Sequence, residues 1–198
     1  MVMRGRPGVW TFAVFCDIIA PKQKADLIDG VIYLAPPEST KAARLFGWLL
    51  CLLGDFVERT ESGELFMLRV AFRLSAKDGP EPDLAFLKKS RLHLVRKDCV
   101  DGAPDLVIEI VDAESVDRDY YKKRALYERA GVSEYWIIDE EIQQITLLRL
   151  DCNGKYRKVR PIQGILRSQV LKGFWLRPEW LRTETRPGKA EALRQILG

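Results

Sequence analysis

Apolar runs alternate with polar breaks along this chain, and the spacing within each run separates helices from strands. Thr11 is a good cap for a short helix running to Ile19. The stretch DLIDGVIYLAPP predicts a strand entered by a turn at Asp29-Gly30. TKAARLFGWLLCLLGDFVERT has helical apolar spacing, and Ser39 or Thr40 can cap it as a long helix. ELFMLRVAFRLS, residues 64 to 75, alternates and predicts a strand; AKDGPEP is a loop. DLAFLKK and DLVIEIVD predict two more strands. A helix follows from about Val116 to Ala130, ended by Gly131. SEYWIIDE and QITLLRLD are strands joined by an acidic turn, and GKYRKVRPI adds another. Beyond Pro178 the pattern predicts a short helical appendage, with the last ten residues loosely held.

The order helix, strands, helix, strands is that of an α/β sheet with few covering helices. A chain of 198 residues with 47% apolar content can build one substantial core, so residues 1–182 read as one domain and 183–198 as a tail. The net charge of +4 permits nucleic-acid binding without arguing for it. Cys16, Cys51, Cys99 and Cys152 form no CxxC pair, and His93 is the only histidine, so neither a zinc site nor a disulfide framework is supported. That points to a reducing cytosol. Arg4 and Arg6 before VWTFAVFC faintly resemble a signal peptide, but Asp17 cuts the apolar run short. LFGWLLCLLG is too short to span a bilayer. No phosphate-binding glycine loop, GxSxG or Cys-His pairing is present.

The candidate chemistry lies in acids placed where acids are costly. In DLVIEIVD, period-two alternation puts Asp105, Val107, Glu109 and Val111 on one face and Leu106, Ile108 and Ile110 on the other. A carboxylate buried there needs a cation, a basic side chain or a proton. Asp83 opens another apolar strand directly after Pro82. If the two strands are neighbours, about 5 Å apart, Asp83 and Glu109 converge. A divalent cation would relieve their repulsion, and Mg²⁺ suits so few carboxylates, with Mn²⁺ as a substitute. On a helical wheel Tyr120, Leu126, Tyr127 and Ala130 form a stripe with Lys123 near its centre and Asp119 beside it, one turn earlier. Such a lysine needs an acidic partner; Asp83, Glu109 and Asp119 are all candidates. Each feature alone has a structural explanation: Asp83 as a solvated strand end, Glu109 as half of a structural ion pair, Lys123 as a snorkelling side chain. Together, two acids and a lysine around a hard cation equip a site for phosphodiester hydrolysis.

Pro82-Asp83 followed by Glu109 resembles the PD-(D/E)xK nuclease superfamily. More specifically, DLIDGVIYLAPP, EPDLAFL, APDLVIEIVDAES, DRDYYKKRALYERAGVSEYWIID and LKGFWLRPEWL are similar to the Uma-type restriction endonuclease domain family, across roughly residues 20 to 182. The resemblance implies a restriction-endonuclease-like mixed sheet core of αβββαβ type with flanking helices. It implies Mg²⁺ held by Asp83 and Glu109, with Lys123 as the catalytic lysine. The superfamily's usual lysine position is occupied by Val111, and in the Uma-type branch the lysine has moved to the next helix. Asp105 matches the family's Pro-Asp and has a supporting place, either orienting the site or simply beginning the strand; Asp119 supports Lys123. The chain has Asp112-Ala113-Glu114-Ser115 where the family often has Ser-Pro-Ser, and it lacks the family's histidine near Thr40 to Ala42.

The implied activity is that of a metal-dependent endonuclease, acting on DNA. Lys88, Lys89, Arg118, Lys122 and Arg124 are weak candidates for phosphate contacts, since any of them can equally be an ordinary solvated charge. Asp83→Ala or Lys123→Ala would then abolish cleavage with the fold intact. The alternatives are a non-catalytic nucleic-acid-binding or interaction module of the same fold, and a metal-dependent enzyme acting on another phosphate ester. Phe174, Trp175 and Trp180 either pack on the domain or contribute to a homodimer.

Overall fold

Two apolar faces on each central strand require cover on both sides of the sheet, and the chain supplies a helix for each. The computed structural model describes residues 2–3, 9–19, 23–37, 39–67 and 69–198. In chain order the elements are β1 (Val2–Met3), α1 (Phe12–Ile18), β2 (Ala25–Ile28), β3 (Val31–Leu34), α2 (Thr40–Thr60), β4 (Gly63–Met67), β5 (Leu84–Lys88) and β6 (Leu106–Val111). A π-helical segment, Arg118–Lys123, then leads directly into α3 (Arg124–Ala130). β7 (Glu134–Asp139), β8 (Gln144–Leu150), β9 (Tyr156–Lys158), β10 (Leu166–Arg167), β11 (Trp175–Leu176) and α4 (Lys189–Leu197) complete the chain.

The principal sheet has strand order β4-β5-β6-β7-β8-β9, with β6 and β7 parallel and every other pair antiparallel. The parallel pair is joined by the crossover through α3, as parallel neighbours require. Ile108 and Ile110 face α2, whose Leu45, Leu49, Leu52, Leu53 and Phe56 are buried in the same core. Val107 and Val111 face the other side, with Tyr127 of α3 and Tyr135. The sequence order α2-β4-β5-β6-α3-β7 gives the expected αβββαβ core.

β2 and β3 form a hairpin with β1 at its edge. Asp29 (φ 50°) and Gly30 (φ 72°) both take left-handed backbone, as a two-residue type I′ connection demands. Phe12 and Phe15 of α1 pack on this hairpin, so the run after Val9 is a docked helix; Arg4 and Arg6 lie outside the described residues. Ser39 caps α2, its hydroxyl accepting the Ala42 amide at 3.1 Å. Ser39→Ala is expected to cost about 1 kcal/mol, read as a small drop in the urea midpoint.

Two expectations are corrected. The strand over residues 64–75 ends at Met67, because Arg69 adopts left-handed backbone (φ 60°) and breaks the pairing. The apolar alternation beyond it reflects Phe72 packing with Ala85, Leu87 and Val100. The C-terminal residues are not loose: α4 buries Ala192, Leu193 and Ile196 in the main core, and Trp48 donates to the Pro187 carbonyl at 2.9 Å. Phe174, Trp175 and Trp180 are buried in that core too, which leaves them unavailable for a dimer contact.

Candidate active site

Register brings the two predicted acids together. Leu84 pairs with Ile108, so Asp83, one residue before β5, lies opposite Glu109. The Ile110 amide donates to Asp83 Oδ2 at 2.7 Å, which fixes the carboxylate across the strand pair. Its other oxygen, Oδ1, is held by the Lys24 ammonium.

Lys123 reaches this place from the π-helical segment that leads into α3, on the face of the sheet that Glu109 shares with Val107 and Val111. It is 1% exposed, and its Nζ lies 2.9 Å from Glu109 Oε1, 3.1 Å from Asp26 Oδ2 and 3.6 Å from Asp119 Oδ1. The Tyr127 hydroxyl also donates to Glu109 Oε1 at 2.8 Å. The wide π-helical turn buries both Asp119 and Lys123 and leaves Tyr120 only half-buried, so the stripe on the helical wheel finds the buried lysine but not the whole buried face.

Burial opposes every charge here, and the partners decide the outcome. For Lys123, Asp26, Glu109 and Asp119 outweigh burial and hold the ammonium above the usual lysine range. Asp26 is kept below the usual carboxylate range against burial by Lys123 and Arg118. Glu109 goes the other way: burial pushes it up to about 8, against the pull of Lys123 and with help from Asp83 and Asp119. Lys123 and Asp26 therefore form the ionised pair, and Glu109 is pushed toward the protonated form. Asp119 is also raised, chiefly by burial. Burial likewise raises Glu81 to about 7, although its carboxylate accepts the Ala25 amide at 3.1 Å.

Several of these groups, though not Asp26 or Glu81, line a pocket of about 30 Å³, enough for one or two waters. Lys24, Asp83, Glu109, Arg118, Asp119 and Lys123 are all in its wall. Asp119 Oδ1 and Arg118 Nε are buried there without a hydrogen-bond partner. Asp119 Oδ1, without a hydrogen bond and 3.6 Å from Lys123 Nζ, and the Asp83 and Glu109 carboxylates border a water-sized space that a partly dehydrated hard cation would fit. Among the described residues no three His, Cys, Asp or Glu side chains converge as a cage. A cation placed here would have to take one or two carboxylates and keep water in its other positions, the habit of Mg²⁺.

Other predicted residues fall elsewhere. Asp105 is at the far end of β6, four residues and about 13 Å along the strand from Glu109. It accepts the Lys88 amide at 2.9 Å and pairs with Arg91 at 3.2 Å, so it secures the start of the strand and does not support the site. Lys88 and Lys89 lie at that same remote end, paired with Asp105 and Glu61. Lys122 pairs with Asp117, and Arg124 is exposed on the helix exterior. Of the five basic candidates only Arg118 enters the pocket, 3.4 Å from Asp26.

Sequence reasoning missed Asp26 and Lys24. Asp26 carried the same signal as Glu109, an acid inside an apolar strand. Lys24, next to that strand, carried none.

The family model Uma2, described as "Putative restriction endonuclease", matches residues 11–179. A solved structure from Anabaena variabilis ATCC 29413, described as a "putative nuclease belonging to DUF820", superposes with a TM-score of 0.67 at 14% identity, covering 94% of this chain and 98% of that one. At that identity it shows the fold. No curated protein matches the chain. With the family model matching residues 11–179, most of the chain's length, the chain belongs to the Uma2 family.

Proposed function

We propose that this protein is a Mg²⁺-dependent endonuclease that hydrolyses phosphodiester bonds in DNA. The observation that carries the reading is the convergence of Asp83 and Glu109 across the β5–β6 register, with Lys123 Nζ 2.9 Å from Glu109, at one pocket. Asp83 and Glu109 would hold the metal, which supplies charge to the phosphate oxygens and lowers the pKa of a bound water.

The protein's own groups divide the remaining work. Lys123 is held above the usual lysine range, so it acts as a donor and a fixed positive charge, not as a proton acceptor. It orients the attacking water or stabilises the negative charge that develops on the phosphoryl oxygens. Asp26 and Asp119 fix its position from two sides. Tyr127 orients Glu109. Arg118, whose Nε makes no hydrogen bond and lies 3.4 Å from Asp26 Oδ2, is the second cation at the pocket for a phosphate.

A second reading, a binding module without turnover, is favoured by one observation: Asp83 and Glu109 each already touch a lysine. Cleavage of supercoiled plasmid and of a labelled oligonucleotide separates the two. The wild type is expected to nick or cut with Mg²⁺ or Mn²⁺ and to be silent in EDTA, and Asp83→Asn is expected to fall to the EDTA background. Absence of metal-dependent cutting, or equal cutting by Asp83→Asn, would overturn the nuclease reading. Including a small phosphodiester tests the remaining alternative, an enzyme acting on other phosphate esters.

A further inference from the structure

The two lysines of the pocket are held in different ways. Lys123 is enclosed, with three carboxylates within 3.6 Å and 1% of its surface exposed. Lys24 stands at the mouth: its side chain is 17% exposed, and Asp83 is its one ion-pair partner among the described residues. Its backbone is anchored, since the Lys24 carbonyl accepts the Ala35 amide at 2.9 Å and the Gln23 side-chain amide at 3.1 Å. The four-carbon stem above that anchor can swing with no change in the chain path.

Asp83 is equally asymmetric. Oδ2 is fixed by the Ile110 amide inside the sheet, and Oδ1 is the oxygen left for a ligand in the pocket. Lys24 covers Oδ1. A cation binding through Asp83 therefore competes with an ammonium already present.

We propose that Lys24 is an exchangeable counter-cation of Asp83, displaced when a divalent ion binds, and that the freed ammonium at the pocket mouth then contacts the phosphate backbone of the nucleic acid. This rests on the metal-dependent nuclease reading above. One side chain then does two jobs in sequence. It neutralises Asp83 while the pocket holds no metal, and it adds positive charge at the entrance once the metal has taken over that task. Metal and DNA binding are coupled through Lys24: each favours the rotamer in which the ammonium has left Asp83, so each strengthens the other. Lys123 cannot play this part, because leaving Asp26, Glu109 and Asp119 would strand three buried carboxylates.

The test is Mn²⁺ titration by calorimetry on the wild type, Lys24→Met and Lys24→Gln, each alone and with a short phosphorothioate DNA duplex. Near-ultraviolet circular dichroism establishes that all three share the fold, and two different neutral replacements guard against a packing defect in either. Both variants are expected to bind Mn²⁺ alone about tenfold more tightly than the wild type, the size of one lost competing ion pair. The duplex is expected to tighten Mn²⁺ binding in the wild type and to do so several-fold less in the variants. Equal or weaker Mn²⁺ binding by the variants, or undiminished coupling to the duplex, overturns the role of Lys24 while leaving the metal site in place. Failure of the wild type and both variants to bind Mn²⁺ with or without DNA overturns the metal-dependent reading, and this inference with it.

Discussion

Replacing Lys123 with Met is expected to lower cleavage by at least about 10²–10³-fold and, in the same variant, to lower the melting temperature by about 6–20 °C. Local pattern alone leads to the expectation that Lys123→Ala stops cleavage with the fold untouched. The structure revises that expectation. Lys123 is the shared counter-charge of Asp26, Glu109 and Asp119, all within 3.6 Å and all buried. Removing one partner of a buried ionic cluster costs about 3–5 kcal/mol, because the charges left behind have neither water nor partner. That is a large part of the stability of an ordinary domain. Met matches the length of the lysine stem, so the loss is one of charge and not of volume.

The pH dependence identifies the cause. Without the ammonium, Asp26 loses the charge that keeps it low, and Glu109 and Asp119, already raised by burial, rise further, while the unfolded values stay put. A raised acid binds more protons folded than unfolded, and its stabilisation is lost as pH rises. The gap between Lys123→Met and the wild type should therefore be narrow near pH 5 and wide near pH 8. Thermal melts across that range measure it. Equal melting temperatures at pH 8 would mean that Lys123 is not the counter-charge of this cluster, and cleavage at the wild-type rate would remove it from the chemistry.

The parts of this site that local pattern reveals are those whose signal is an exception to a local rule. Glu109 is an acid among Val and Ile, and Lys123 is a cation on an apolar stripe; each announces a missing partner. Asp83 is legible as an acid at the mouth of a strand after proline. Register then does the rest, because two neighbouring antiparallel strands place Asp83 and Glu109 opposite each other. Period two also misled. It put Asp105 on the face of Glu109, which is correct, but a shared face says nothing of the 13 Å or so between them along the strand. Lys24 escaped because no local rule marks it, and Asp26, though an acid among apolar neighbours, could not be joined to the site because no local pattern says where the β2–β3 hairpin docks. The same holds for α4. Its apolar positions were readable, but the groove on α2 that receives them is a property of the assembled core. The run after Met67 alternates like a strand, yet alternation specifies a buried face and not a sheet partner, and Arg69 turns the chain away.

Glu109→Gln is expected to reduce Mn²⁺ affinity by about 10²-fold or more, to lower cleavage with it, and to flatten the pH dependence of both metal binding and stability. Burial raises Glu109 to about 8, far above the value near 4.5 of a solvated glutamate. Between those two values the folded protein holds a proton there that the unfolded chain has released. By linkage, this group's contribution to stability is complete below about pH 4.5 and is lost as pH climbs through 8. Glu81, raised to about 7, has the same sign. Asp26, held low, contributes evenly above the usual carboxylate range and so adds no slope there. The metal-free wild type should accordingly melt several degrees lower at pH 8 than at pH 5. A glutamine amide in place of the Glu109 carboxyl has no proton to lose, so the variant should show a shallower slope, the residue of Glu81 and Asp119. Metal binding runs the opposite way. A cation needs the carboxylate, must expel the proton, and so binds about tenfold more tightly for each pH unit gained below 8, levelling off above it. Calorimetry in buffers of different ionisation enthalpy counts that proton directly. Release of close to one proton per Mn²⁺ at pH 7 in the wild type, and none in any residual binding by Glu109→Gln, assigns it to this carboxylate. A wild-type Mn²⁺ affinity that is flat from pH 6 to 8 would mean that Glu109 is ionised before the metal arrives, with Lys123 and not a proton as its partner.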